Sequence, residues 1–326
     1  MTHIAMADSP PLRKALGGRP GFLGRLLLFC LVIAPPIFGQ TEPPPASAAL
    51  SVDVNLVVLH ATVQDRKGGF VSGLSQVNFR VFEDGVPQTI RTFQHADVPM
   101  AIGLIVDNSR SMRRKKQDVT AAALAFVRSS NPQDQIFVVN FNEHVLFGLP
   151  AAQPFSASVL ALEAALNGAL PDGMTALYDA IDAGIEHLKR TTLDRKALIV
   201  ISDGGDNASH RTMANVLESA ARSNAVIYTI GLSYEDDADS NPAILRKVAR
   251  ATGGACYLPQ DSREIVPICR RIAEDIRHQY TIAYAPSNQE WDNRYRTIRV
   301  TASLPHREKL VVRTRAGYVA SPSRLP

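Results

Sequence analysis

The chain changes its hydrophobic rhythm twice. From Ser51 to Phe93 apolar residues recur at strand spacing. Val52, Val54, Leu56 and Val58 fall on one face and Val57, Leu59, Ala61 and Val63 on the other, as expected of a strand buried on both sides. Asp65-Arg-Lys-Gly-Gly69 reads as a turn, with a short strand from Phe70. Phe79 to Phe82, then Glu83-Asp-Gly85 and a return over Gln88 to Phe93, reads as a hairpin. From Met100 to Gln279 the rhythm alternates. Strands are expected at Ala101–Val106, Gln135–Phe141, Val145–Leu149, Lys196–Ile201, Ala225–Leu232 and Gly254–Leu258. Helices are expected at Asp118–Arg128, Ser158–Leu170, Ala176–Lys189, Thr212–Arg222, Ala243–Ala251 and Arg263–Arg277. Apolar strands separated by helices predict a doubly wound, mostly parallel sheet covered on both faces. From Gln279 to Tyr318 the β pattern returns, at Tyr280–Ala285, Tyr295–Ala302 and Lys309–Thr314.

Four short strands before the α/β region and three after it are each too few to cover a core. Joined, they make one β-sandwich, split in sequence, into which the α/β domain is inserted. The alternative is two separate β extensions packed on the α/β domain. The expected organisation is a signal peptide over 1–39, a Pro-rich linker over 40–50, the first sandwich segment over 51–98, the α/β domain over 99–279, the second sandwich segment over 280–320 and a tail over 321–326.

The N-terminus drives the first of those assignments. A basic stretch ending at Arg25 precedes Leu26-Leu-Leu-Phe-Cys-Leu-Val-Ile-Ala34, and Pro35-Pro36 stops it. That apolar run has the length of a signal-peptide core and is too short to span a bilayer. Cleavage at Gly39-Gln40 is expected, although Ile37 departs from the small residue preferred there; an uncleaved anchor is the alternative. Thr41 to Ala49 is a Pro-rich spacer. The chain is therefore expected to be exported, periplasmic or extracellular, with no stable membrane span once the signal is removed. Cys30 lies inside the apolar run. The other two cysteines, Cys256 and Cys269, either pair in an oxidising compartment or serve as small buried apolar residues.

Composition narrows function by exclusion. The 326 residues are 45% hydrophobic and 20% charged, with a net charge of +4. Much of that charge sits in the first 25 residues, so no nucleic-acid surface is expected. The tight cluster Arg113-Arg-Lys-Lys116 reads as a solvated first turn of a helix.

Three polar signals fall beyond strand ends, where open α/β sheets bind ligands. Asp107, Ser109 and Ser111 follow the first α/β strand in Val106-Asp-Asn-Ser-Arg-Ser-Met112. Thr175 ends the loop Pro171-Asp-Gly-Met-Thr175. Asp203 opens Ser202-Asp-Gly-Gly-Asp206. Singly, each suits a helix cap or a turn. Together they supply hydroxyls and carboxylates, hard oxygen donors suited to Mg²⁺, Mn²⁺ or Ca²⁺. Asn108 fits a tight turn. Asp206 and Asn207 belong to the turn after Asp203 or to the layer behind the donors, Asp172 caps the loop before Thr175, and Asp179 faces outward.

The order D-x-S-x-S, then a loop Thr, then an Asp-Gly turn after a later strand resembles the metal-ion-dependent adhesion site of von Willebrand factor type A domains, over Pro99 to Gln279. The resemblance implies a Rossmann-like fold and one divalent ion. Ser109, Ser111 and Thr175 would be direct ligands, with Asp107 and Asp203 acting directly or through water. A partner's Asp or Glu would complete the shell. The flanking sequences, with "VFEDGVPQTI", "YTIAYAP" and "KLVVRTRAGY", resemble the exported VWFA-related family common in acidobacteria.

An enzyme reading needs a base for the serines. His144 and His187 lie in the right domain, but His187 reads as surface. His210 is the plausible rim residue. Neither G-x-S-x-G nor the phosphate-loop pattern is present. The expectation is a non-enzymatic, exported, metal-dependent protein-binding module. The rivals are a Mg²⁺-dependent phosphoryl-transfer hydrolase with Asp107 as nucleophile, and a structural envelope protein with an unused site.

Overall fold

The structure, a computed structural model, describes residues 56–232, 240–305 and 310–321. The expected signal peptide, the Pro-rich linker and the tail beyond 321 lie outside the described residues, as do the first residues assigned to the opening strand. All described residues fall in one compact unit, Asp53–Pro326.

In chain order the elements are β1 (Val57–Gln64), β2 (Phe79–Glu83), β3 (Val86–Gln88), β4 (Ile90–Gln94), β5 (Ala101–Asp107), α1 (Lys116–Ser129), β6 (Gln135–Phe141), β7 (Val145–Phe147), α2 (Val159–Asn167), α3 (Leu177–His187), β8 (Lys196–Ser202), α4 (Met213–Arg222), β9 (Val226–Gly231), α5 (Pro242–Thr252), β10 (Cys256–Tyr257), α6 (Ile265–Arg277), β11 (Tyr280–Tyr284), β12 (Tyr295–Ala302), β13 (Val311–Arg313) and β14 (Gly317–Val319). The main sheet has the order β10-β9-β8-β5-β6-β7, parallel except for the antiparallel edge strand β7. Strand β5 sits between β8 and β6, and every one of its residues is buried. That explains its uninterrupted hydrocarbon run. Gly103 is required there: a Cβ would lie 2.4 Å from Phe137 Cζ and 2.6 Å from Leu198 Cδ2. Helices α2, α1 and α6 pack in one row and α3, α4 and α5 in another.

The flanking segments form two four-stranded antiparallel sheets, β13-β1-β11-β4 and β14-β12-β2-β3. Each takes strands from both sides of the α/β insertion, and together they enclose a second core including Leu59, Val81, Tyr280, Ile282 and Tyr284. The split β-sandwich is thus the observed arrangement, with eight strands where seven were expected. Two strands are additions, β3 and β14. The expected strand at Phe70 reduces to a single bridge with Gln64.

Buried polar contacts fasten sandwich to insertion. Asp275 of α6, fully buried, accepts Thr62 Oγ1 of β1 at 2.6 Å and pairs with Arg313 of β13. Arg195 of the insertion donates to the Ala96 carbonyl of the first sandwich segment at 3.4 Å, and within the insertion it is held by the Ile276 carbonyl at 2.6 Å, beside the Gln279–Tyr228 Oη bond of 2.9 Å. His60 lies in the same seam, lining a small cavity with Ser223, Thr252 and Arg315. Its Nε2 has no hydrogen-bond partner among the described residues, and burial beside Arg195 and Arg315 depresses its pKa to about 3.

Cys256 and Cys269 are free thiols. Cys269 is buried in α6, where desolvation raises its pKa to about 12. Cys256 is half-buried on the edge strand β10 beside Thr229. Each packs with the main apolar core.

Candidate functional site

The site is built where β5 and β8 end side by side. Asp107 is the last residue of β5 and is 1% exposed. Its Oδ1 accepts the Ser109 N–H at 2.8 Å, which turns the chain back, and its Oδ2 accepts Ser202 Oγ at 2.6 Å. Ser202 Oγ in turn accepts the Gly204 N–H at 3.0 Å. Ser202 is thus the positioning residue behind Asp107. The sequence places it in the turn after Lys196–Ile201 and gives it no role, whereas in the structure it is the last residue of β8; its one signal is a hydroxyl directly before Asp203.

The hydroxyls converge in front. Ser109 Oγ and Ser111 Oγ lie 3.1 Å apart, and Ser111 Oγ donates to Asp203 Oδ2 at 2.5 Å. Ser109 and Asp203 are buried, whereas Ser111 is exposed, so the cluster opens to solvent at one side. Asp203 Oδ1 accepts the Gly205 N–H at 3.0 Å, leaving Oδ2 toward the serines.

Thr175 arrives on a loop tied to both neighbours. The Asp172 N–H donates to the Asn108 carbonyl at 2.9 Å, and the Arg110 N–H to the Gly173 carbonyl at 3.2 Å. On the other side the Thr175 N–H donates to Asn207 Oδ1 at 2.8 Å, while the Asn207 and Ala208 N–H groups both donate to the Thr175 carbonyl at 3.0 Å. The Thr175 hydroxyl makes no hydrogen bond to another described residue. Gly173 adopts φ +83°, and a Cβ there would sit 1.7 Å from Glu143 Oε2, whose carboxylate accepts the Met174 N–H at 2.9 Å. The loop needs glycine for both reasons.

The other residues singled out from sequence resolve differently. Asn108 is buried and bonds Val106 O at 3.1 Å and Asn140 Oδ1 at 3.0 Å, so it braces the turn from behind. Asp206 Oδ1 accepts the Tyr178 N–H and Ser209 Oγ, capping the start of α3. Asp179 is not outward-facing: its carboxylate accepts the N–H groups of His210 and Arg211, at 2.9 Å each. His210 stays almost fully exposed and pairs with Asp179, 3.2 Å away, with no contact to the donor cluster. Asp172 takes Arg110 and Arg113 at 3.2 and 3.3 Å. His187 is buried rather than surface, stacked among Phe137, Phe147 and Phe155 and bonded to the Pro154 carbonyl. The basic cluster also departs from expectation. Residues Arg110–Lys115 form a 3₁₀ helix, which turns Lys115 inward. Lys115 Nζ reaches the Leu232 carbonyl and Lys116 Nζ reaches Asn108 Oδ1. Only Arg113 and Arg114 of the four are exposed.

Electrostatically the cluster holds two carboxylates close together. Burial, opposed by the Ser109 and Ser202 hydrogen bonds and reinforced by the Asp203 charge, lifts Asp107 from 3.8 to about 6. Such a carboxylate is costly to ionise unless a cation joins it. Among the described residues no group of three or more His, Cys, Asp or Glu is placed to hold a metal. The donors here are instead two carboxylates and three hydroxyls, a hard, all-oxygen set with charge to match one divalent ion. They fit Mg²⁺, Mn²⁺ or Ca²⁺ and not a soft metal.

Part of the insertion matches a known family. Residues 102–205 match the von Willebrand factor type A domain family, and all five donor positions fall within that span. No curated protein matches the chain. Similar solved structures include an aerotolerance-related membrane protein from Bacteroides fragilis, at 15% identity and TM-score 0.45, covering 54% of this chain and 98% of that one. A von Willebrand factor type A protein from Catenulispora acidiphila aligns at 13% identity and TM-score 0.49, covering 82% and 75%. The vWF domain of the type V pili tip protein Mfa5 from Porphyromonas gingivalis aligns at 13% identity and TM-score 0.47, covering 55% and 95%. Residues 102–205, within the insertion held by the two antiparallel sheets, are a von Willebrand factor type A domain.

Proposed function

We propose that Asp107, Ser109, Ser111, Thr175 and Asp203 hold one hard divalent cation, and that the domain is an exported protein-binding module. The observation that carries this is the convergence of Ser109, Ser111 and Asp203 oxygens in front of a buried Asp107, with one side open. Bound there, the cation would offer an open coordination position to an Asp or Glu of a protein partner. The chain's own residues do the rest. Ser202 and the Ser109 N–H fix the Asp107 carboxylate, and Asn207 fixes Thr175. Two carboxylates offset the ion's charge without exceeding it, which leaves the ion able to attract a third from outside.

A binding module accounts for the serines better than a hydrolase does. Their hydroxyls face each other and Asp203, and among the described residues no histidine is bonded to either. Export rests on the N-terminal apolar segment. Among the described residues no helix is long and apolar enough to cross a membrane. The test is electron paramagnetic resonance of Mn²⁺ titrated into the purified chain. The free-ion signal should be lost to one site per chain and return in Asp203→Ala and in the Ser109→Ala/Ser111→Ala double variant. Equal Mn²⁺ uptake by the parent and all variants would overturn the assignment, and phosphatase turnover lost in Asp107→Asn would replace it with the hydrolase.

A further inference from the structure

The rim of the donor cluster has chemistry of its own. The loop carrying Thr175 exposes two large apolar side chains, Leu170 at 86% and Met174 at 53%. Scattered exposed apolar residues are common and need no explanation. These two stand on a short loop pinned to the Asn108–Arg110 turn by Asp172 and Gly173 and to Glu143 by Met174 itself. Met174 is therefore held in a fixed place next to Thr175, with Leu170 at the start of the same loop.

Directly against that loop lies the 3₁₀ helix Arg110–Lys115. Residues three apart eclipse in such a helix, about 6 Å apart along the axis. One row carries Arg110 and Arg113, both engaged with Asp172. The next row carries Ser111 and Arg114. Both are exposed, and among the described residues Arg114 has no acidic partner. A guanidinium thus stands one turn along from a proposed metal ligand, on the same row.

We infer that the partner is an acidic protein segment with three features. It caps the cation with one carboxylate, lays an adjacent apolar side chain on Leu170 and Met174, and sets a second carboxylate against Arg114. This rests on the reading of the donor cluster as a cation site and adds the partner's chemistry to it. The apolar seat supplies affinity by burial, and the arginine supplies a salt-sensitive, orienting contact.

The experiment is fluorescence anisotropy of the full chain in Mg²⁺ with three labelled synthetic peptides. They are Gly-Leu-Asp-Gly-Glu-Gly, the same peptide with Gly for Leu, and the same with Gln for Glu. The Leu peptide should bind about tenfold more tightly than its Gly counterpart, the size expected from burying much of one leucine. The Leu170→Ser/Met174→Ser variant should lose that preference while keeping the preference for Glu over Gln. Arg114→Gln should do the reverse and bind with weaker salt dependence. Each variant should take up Mn²⁺ alone as the parent does. Equal affinities for all three peptides, or preferences that survive both variants, overturn the rim inference and leave the cation reading standing. Peptide binding unchanged by chelator, with no Mn²⁺ uptake, overturns both.

Discussion

Asp107→Asn separates a functional carboxylate from a structural one. In the metal-free protein the buried Asp107 titrates near 6 instead of 3.8, an offset worth about 3 kcal/mol at about 1.4 kcal/mol per unit. The native state holds a proton between those values that the unfolded state has lost, so stability falls as pH rises through that window. The full cost stands above the native pKa. Asparagine keeps the shape and removes the charge. Its oxygen can still accept the Ser109 N–H, while its amide meets Ser202 Oγ, which must then redirect its proton. After that hydrogen-bond adjustment, the variant should be about 1–3 kcal/mol more stable than the parent in chelator at about pH 7.5. At about pH 4.5 the ionisation cost shrinks to about 1 kcal/mol, and the gap should narrow with it. With Mg²⁺ the gap should close or reverse. A ligand at a hundred times its Kd adds about 2.7 kcal/mol to the parent, and the variant should gain much less. Urea unfolding of both proteins at the two pH values, with chelator and with Mg²⁺, reads all of this. A variant less stable than the parent in chelator, with a gap independent of pH, would show that the carboxylate is there to hold the fold.

Other residues give independent checks. His60, neutral in the seam with a pKa of about 3 against 6.5 in the unfolded chain, contributes stability that is present at neutral pH and lost as pH falls below 6.5. The parent should therefore lose about 2 kcal/mol more than His60→Leu between about pH 7.5 and 5 in urea unfolding; parallel losses would clear His60 of the role. Arg313→Met leaves the fully buried Asp275 without its cation and should cost about 3–5 kcal/mol, whereas Arg313→Met with Asp275→Asn should recover at least half of that by the same measurement. Gly173→Ala forces a positive-φ residue against Glu143. It should lower stability by about 1–3 kcal/mol in thermal unfolding and weaken peptide binding more than Mn²⁺ uptake, since Met174 moves with the loop. Asn207→Ala removes the acceptor for the Thr175 N–H and should weaken Mg²⁺ binding about 10-fold or more in equilibrium dialysis, as layers behind metal ligands commonly do.

The fold was legible in sequence wherever one element's own pattern decides it. The hydrocarbon run of β5 suits a central, doubly covered strand, and the split of seven alternating segments into insufficient groups of four and three favoured a sandwich over two separate β extensions. The five candidate positions could be singled out from residue type and order after strand ends, and the structure brings the Ser109, Ser111 and Asp203 oxygens together in front of Asp107. What escaped depends on neighbours distant in sequence. His187 reads as surface beside Lys189 and Arg190, yet Phe137, Phe147 and Phe155 come from other elements to enclose it. Lys115 and Lys116 look like members of a solvated run until the 3₁₀ turn rotates them inward to Leu232 and Asn108. Ser202 gains its role only because β8 lies beside β5. The last strand, β14, is three residues long and opens on Gly317, too short to carry a period. A Cβ at Gly317 would meet the Arg296 carbonyl at 2.2 Å, so close packing against β12 explains why a residue of low strand propensity starts it.

The central claim is that this oxygen cluster binds a divalent cation. Calorimetric titration of the purified chain with Mg²⁺, Mn²⁺ and Ca²⁺, beside Asp107→Ala, tests it most directly. The account predicts saturable binding of one ion per chain by the parent and none by the variant. Equal heats from parent and variant, or no saturable heat from any of the three ions, would contradict it.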